Sequence, residues 1–210
     1  MGLILKKNVD DDCLLGIWEI TEDYDTLYSN LKLIPEDQLT LNSFQNYHRK
    51  LEWLSVRVLI NIMLEKECNI VYNEQHKPFL SDNSHYISIS HSKNLTSILV
   101  SKKKRVGIDL EYMSHQIHNI AHKFINYNEV LTNDPLQRRL HLYMHWCAKE
   151  AIYKICDKQD INFKENLTIR PFELSDEGEM EGLLSNRHGN ENFKLRFFLI
   201  DGYVVVWCNK

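Results

Sequence analysis

Val106-Gly107-Ile108-Asp109-Leu110-Glu111 is an apolar run carrying two acids, and the rest of the chain is read outward from it. Val, Ile and Leu at alternate positions favour an extended strand. Successive side chains of a strand point to opposite faces. Asp109 and Glu111 therefore share one face, about 7 Å apart along the chain, with Gly107 on the same side. Two carboxylates on one face repel, and a hard, oxygen-seeking cation such as Mg²⁺ relieves that repulsion. Gly107 leaves bare backbone beside the acids, where a ligand is expected to approach closely. The competing reading of an isolated Asp-x-Glu is a pair of acids on a solvated strand face.

Upstream, Lys102 to Arg105 form a basic run. Before it, Tyr86 to His91 and Thr96 to Ser101 read as strands joined by the polar turn Ser92-Lys93-Asn94. The first of these ends in Ser90-His91-Ser92, hydroxyls and an imidazole at a turn, where phosphate oxygens find donors. Pro78 holds the preceding Lys77 in an extended loop. Residues 44–66 read as a long helix with Leu51, Leu54, Val58 and Ile62 on one face. Arg49, Lys50 and Arg57 lie mostly off that stripe. Residues 14–20 read as a strand, and 23–33 as a helix ended by Pro35.

Downstream, Ser114 is placed to cap a helix over 115–124, with Glu129 in a further short helical piece. A long helix is expected from Pro135 to about residue 157. On it Trp146, Glu150 and Lys154 line one side at i, i+4 spacing. Cys147 reads as packing beside Trp146, because no base accompanies it in sequence. Residues 193–208 form two β-rich runs around Asp201-Gly202, a hairpin signal. The order of elements predicts an α+β fold with antiparallel pairing, in two halves covering 1–103 and 104–210.

Composition narrows the function. Lys and Arg total 25 against 29 Asp and Glu, a net charge of −4 over 210 residues, which argues against a nucleic-acid partner. No G-x-G-x-x-G or G-x-x-x-x-G-K-[ST] occurs, so dinucleotide-fold and P-loop readings fall away. The five Cys lack C-x-x-C spacing, so neither a disulfide framework nor a Cys-based zinc site is expected. Apolar runs stay far below the roughly 20 residues of a membrane span. The N-terminal stretch has no signal-peptide pattern, and a cytoplasmic location is expected. His118 with His122, and His141 with His145, stand at helical i, i+4 spacing but lack the glutamate a zincin needs. Surface or capping roles are expected for all four.

Taken jointly, these pieces resemble the 4′-phosphopantetheinyl transferases, in particular the monomeric kind that activates surfactin-type peptide synthetases. Val106 to Glu111, then 34 residues, then Trp146-Cys147-Ala148-Lys149-Glu150-Ala151-Ile152-Tyr153-Lys154 is similar to the family's (V/I)-G-(V/I)-D … W-(S/T/C)-x-K-E-(A/S)-x-x-K. Lys77-Pro78 and Ile87 to Ser92 stand in its upstream places, and Phe124 with Glu129 in its intermediate stretch. The resemblance spans residues 45–160.

It implies two similar α+β halves in a pseudo-two-fold arrangement, with the active site in the cleft between them. It also implies Mg²⁺-dependent transfer of the 4′-phosphopantetheine arm of coenzyme A to a serine of an apo acyl or peptidyl carrier protein. Adenosine 3′,5′-bisphosphate would be released, as in holo-[acyl-carrier-protein] synthases. On the family pattern, Asp109, Glu111 and Glu150 hold Mg²⁺ against the coenzyme A diphosphate. Glu150 is the general base, with Asp109 and Lys154 as further catalytic residues and Lys149 assisting Lys154. Ser90 and His91 contact the coenzyme phosphates, while Lys77 and one or more of Arg49, Lys50 and Arg57, Arg49 and Arg57 foremost, line the nucleotide end, including its 3′-phosphate. An acidic carrier protein is expected on residues 112–134, with Phe124 in the contact. The residues alone leave two other classes open: a metal-dependent hydrolase of a nucleotide or phosphodiester, and a non-catalytic module binding coenzyme A or carrier proteins.

Overall fold

The computed structural model describes residues 2–114, 116–156 and 161–210. The chain divides into two units, Met1–Lys104 and Arg105–Lys210. Both mix helices with antiparallel strands, which makes the fold α+β. No described helix is long and apolar enough to cross a membrane.

In the first unit, β1 (Leu3–Asp10) pairs with β2 (Cys13–Glu19). After α1 (Tyr24–Ser29), α2 (Pro35–Ser43) and α3 (Tyr47–Leu64), a small hairpin forms from β3 (Ile70–Tyr72) and β4 (Pro78–Leu80). Then β5 (Tyr86–Ser92) and β6 (Leu95–Ser101) complete a sheet of order β1-β2-β6-β5. Asn46 caps α3 by accepting the Arg49 N–H, and Glu65 ends it in the left-handed region at φ 55°, as helix termini require. Of the stripe read from the sequence, Leu51, Leu54 and Val58 are buried and Ile62 partly so; with Leu59, Ile60 and Met63 they pack in one core with Trp18, Ile87 and Ile98 of the sheet. Each fully buried aliphatic side chain contributes about 1.5–3 kcal/mol before ordering entropy.

Two expectations change here. The helix read over 23–33 closes at Ser29, and Pro35 starts α2 instead of merely ending its predecessor, because Pro is well tolerated in the first helical turn. The strand β1 has no clean alternation in sequence. It is an edge strand whose Lys6 ammonium reaches the Ile62 carbonyl and Glu65.

In the second unit, β7 (Val106–Tyr112) leads into α4 (Ile117–Phe124) and α5 (Pro135–Ile155). A short α6 (Phe163–Asn166) and β8 (Leu167–Ile169) follow, then β9 (Glu177–Asn186), β10 (Gly189–Ile200) and β11 (Tyr203–Asn209). The five strands form one antiparallel sheet, β7-β11-β10-β9-β8. Asp201 and Gly202 have φ of 46° and 81°, the doubly left-handed turn that an Asp-Gly hairpin uses. Asp134 caps α5 through the Leu136 N–H, with Pro135 in the first turn. The helix lies on β7, β11 and β9. Cys147, Ala148, Ala151, Ile152 and Ile155 enter a core with Val204, Val206, Leu195 and Phe197.

The first residue of the helix expected over 115–124, and the last of the one expected to about 157, lie outside the described residues. Ser114 accepts the Gln116 N–H at 3.4 Å, but it does not cap the helix: α4 begins at Ile117 with Gln116 in the capping position and no side-chain capping bond. Glu129 is not helical. It closes a turn from Asn126, its N–H on the Asn126 carbonyl at 3.3 Å, because its buried carboxylate is held by groups elsewhere in the unit.

Candidate active site

Gly107 determines how closely α5 can lie on β7. A Cβ at that position would overlap the Ala151 carbonyl oxygen and stand 3.0 Å from its carbon and 3.2 Å from Ile155 Cβ. The backbone bared by Gly107 is thus met by the helix itself, where a ligand had been expected. This contact brings Glu150 and Lys154 to the strand that carries Asp109 and Glu111. The Lys154 ammonium donates to Asp109 Oδ1 at 2.7 Å and to the Ile108 carbonyl at 3.0 Å. Asp109 is buried, whereas Glu111, Glu150 and Lys154 are partly accessible.

The electrostatics follow from that crowding. Burial raises the Glu150 carboxyl most, the charge of Asp109 next, and Glu111 adds to both. The Lys154 ammonium opposes them, and the group settles at about 7. Beneath it, Cys147 is fully buried, and burial together with Asp109 and Glu111 pushes its thiol far up. That thiol stays protonated and is no nucleophile, as the sequence suggested.

The donors here are hard carboxylate oxygens that destabilise one another's charge, and a divalent cation satisfies such a set. Lys154 now supplies positive charge to Asp109. Among the described residues no group of three or more His, Cys, Asp or Glu is gathered as a ready metal cluster.

Residues 105–208 match the family model described as the 4′-phosphopantetheinyl transferase superfamily. The chain belongs to that superfamily. The 4′-phosphopantetheinyl transferase AcpT of Salmonella typhimurium is 30% identical over 112 residues, covering 50% of this chain and 58% of the relative. AcpT of Escherichia coli K12 is 29% identical over 112 residues, covering 50% and 57%. HetI of a Nostoc species, another 4′-phosphopantetheinyl transferase, is 29% identical over 92 residues, covering 40% and 39%. The matched stretch thus spans little more than half the length of the AcpT relatives.

Several expected site residues of this superfamily member have other duties. Lys149 has a fully buried side chain, ion-paired to Glu129 Oε2 at 2.9 Å and donating to the carbonyls of Phe124 and Phe163. Glu129 also accepts the N–H groups of Asn126 and Ile169. Lys149 is therefore a structural cation and not one free for phosphates: a buried ammonium needs all its donors met. Arg57 is likewise buried, bonded to Asp37 at 2.9 Å, with its guanidinium 3.2 Å from the Trp53 ring centroid. It braces α3 against α2 and does not reach outward for a nucleotide. Phe124 is fully buried, edge-on to Trp146 at 5.2 Å, so no carrier protein touches it. In its neighbourhood Tyr127 and Val130 are the exposed apolar side chains. His141 and His145 are buried against Phe172, not at the surface, and His141 Nδ1 accepts the Thr132 N–H at 2.9 Å. His118 and His122 are exposed as expected.

In the first unit the structure brings together Arg49 and His91. Arg49 donates to His91 Nε2 at 2.6 Å. Ser90 belongs to the opposite face of β5 by strand parity and is buried. Lys77 sits half-buried in the turn before β4, its N–H on Asn73 Oδ1 at 2.9 Å. Sequence reasoning missed Glu52, whose carboxylate faces both Arg49 and His91. An acid three residues after Arg49 and four after His48 was the available signal.

Proposed function

We propose that the chain transfers the 4′-phosphopantetheine arm of coenzyme A to a serine of an apo acyl or peptidyl carrier protein, with Mg²⁺, releasing adenosine 3′,5′-bisphosphate. The observation that carries this reading is the meeting of α5 with β7, where Lys154 donates to Asp109 Oδ1 at 2.7 Å and Glu150 stands one turn before it, its carboxyl raised to about 7 by burial and by Asp109. A base for a serine proton works best when it titrates near the working pH. Asp109, Glu111 and Glu150 would hold the ion, which when bound supplies charge neutralisation at the diphosphate oxygens. Glu150 receives the hydroxyl proton on a carboxylate oxygen, directly or through one water. Lys154 offsets the negative charge that grows on the departing phosphate.

In the first unit, the partly exposed Arg49, the exposed His91 and the half-buried Lys77 are the candidate contacts for coenzyme phosphates. Ser90, Lys149 and Arg57 are left out of that role by their burial. Tyr127 and Val130 near the cation Lys123 suit docking of an acidic carrier protein. Five free cysteines suit a reducing compartment, and the reading places a monomeric enzyme of the holo-acyl-carrier-protein synthase type in the cytoplasm.

The test is incubation with coenzyme A, Mg²⁺ and a panel of apo carrier proteins, read by intact mass. The expected result is a carrier heavier by the arm, with adenosine 3′,5′-bisphosphate released. Folded Asp109→Ala and Glu150→Ala variants should leave the carrier unmodified. Free products with an unchanged carrier mass would instead indicate a hydrolase, and near-normal turnover by either variant would overturn the assignment.

A further inference from the structure

Glu52 projects from α3 into a cluster that nothing above assigns it to. Its Oε2 accepts from Arg49 NH1 at 3.0 Å, its Oε1 lies 3.4 Å from His91 Nδ1, and His48 Nε2 stands 3.6 Å away. The Glu52 side chain is only 12% exposed, while those of Arg49 and His91 are 43% and 36% exposed. The carboxylate thus lies under two outward-facing side chains. A guanidinium can only donate, so the 2.6 Å contact from Arg49 makes His91 Nε2 an acceptor. The imidazole proton then resides on Nδ1, facing Glu52.

We infer that Glu52 is a positioning residue that holds Arg49 and His91 side by side as a grip for a phosphate monoester. In the reading proposed above, on which this inference rests, that ligand is the 3′-phosphate at the nucleotide end of coenzyme A. The frame behind Glu52 is rigid. Ser55, one turn further along α3, bonds its own turn at the Glu52 carbonyl at 2.9 Å and meets Thr96 Oγ1 at 3.3 Å. Thr96 pairs directly with His91 across β5 and β6. His48 Nε2 donates to the Lys93 carbonyl at 2.6 Å and ties the same helix turn to the β5–β6 turn. The helix that carries Glu52 and the strand that carries His91 therefore cannot slide apart.

A bare carboxylate would repel a phosphate. Here burial raises the Glu52 carboxyl, but hydrogen bonds from His91 and Arg49, with the Arg49 charge, outweigh that and hold it below its ordinary value. Its charge is balanced by those partners, with His48 alongside and Lys93 exposed on the adjoining turn. When a phosphate arrives, its oxygens accept from the Arg49 N–H groups that Glu52 does not engage, while Oε2 keeps the guanidinium plane fixed. Charge-assisted, fork-like contacts of that kind depend on a preset orientation.

The test compares wild type with Glu52→Gln, which preserves shape and removes charge. Transfer is measured with coenzyme A and with 3′-dephospho-coenzyme A, and binding of adenosine 3′,5′-bisphosphate and of adenosine 5′-monophosphate by calorimetry. The KM for coenzyme A should rise about tenfold with kcat retained. The preference over the dephospho form should shrink by a similar factor, and only the bisphosphate should bind more weakly. His91→Asn should be non-additive with Glu52→Gln in a double-mutant cycle. An unchanged preference, an equal loss for both ligands, additivity, or failure of Glu52→Gln to fold would each overturn the positioning role. A wild type that modifies no carrier would sink the transferase reading instead, while calorimetry would still decide whether Glu52 governs the phosphate grip.

Discussion

Replacing Gly107 by Ala is the sharpest probe of how the fold builds the site. The added methyl overlaps a backbone carbonyl, Ala151 O, and lies 3.0 Å from its carbon. Ordinary carbon–oxygen contacts are no closer than about 3.3 Å, so α5 must retreat from β7 by on the order of 1 Å. Overpacking of that kind costs about 1–3 kcal/mol, or about 3 °C of melting midpoint per kcal/mol for a chain of this length. The retreat also draws Glu150 and Lys154 away from Asp109, and a misplacement of about 1 Å can lower turnover roughly 100-fold. Gly182→Ala is the internal control, because its methyl meets only side-chain ends, the Cδ1 atom of Ile152 on the same helix most closely and those of Ile169 and Leu195 at 3.3 Å, which can rotate aside. Thermal melts and carrier-protein modification kinetics should therefore show a large loss of both stability and activity for Gly107→Ala and a small one for Gly182→Ala. If Gly107→Ala melts within a degree or two of wild type and keeps its turnover, the close approach of α5 is not what assembles the site.

Lys149→Met should cost about 3–5 kcal/mol, because it strands the buried Glu129 carboxylate, and pairing it with Glu129→Gln should recover much of the loss in urea midpoints. Glu150→Gln should abolish transfer yet raise stability at pH 8 and not at pH 5. Its carboxyl is lifted from 4.5 to about 7, so within that window the folded chain binds a proton the unfolded chain has released, and stability falls as pH rises. His145 is pulled from 6.5 down to about 3, first by burial and then by the charges of His141 and Lys149, against its bond to the His141 carbonyl. Here the unfolded chain binds the extra proton between pH 6.5 and 3, so stability should fall on acidification by up to about 1.4 kcal/mol per pH unit, and His145→Phe should flatten that slope in urea titrations at pH 7 and 5.

The features legible in the sequence were those set by neighbours along the chain. Alternation over 106–111, the Asp-Gly turn and the i, i+4 row of Trp146, Glu150 and Lys154 are local periodicities, and each appears where it was read. The misreadings share a physical cause. Lys149, Arg57 and the pair His141–His145 are polar side chains in buried positions, and a polar side chain enters a core only when partners meet it there. Those partners lie far off in sequence: Glu129 is 20 residues before Lys149, and Asp37 is 20 residues before Arg57. No spacing rule along a helix reveals them, so the default expectation of an exposed cation prevailed. Gly107 was read as a place where a ligand approaches closely, but what approaches it is a helix residue 44 positions later in the chain. Glu52 is the converse case. Its local spacing from His48 and Arg49 was visible, but its meaning depends on His91, which only the pairing of β5 with β6 delivers to the same helix turn. Motif residues whose neighbours in space are also neighbours in sequence can be assigned roles from the chain alone. Where the companion arrives through tertiary packing, as with Lys149 inside the family motif itself, membership of the motif does not tell a phosphate ligand from a buttress.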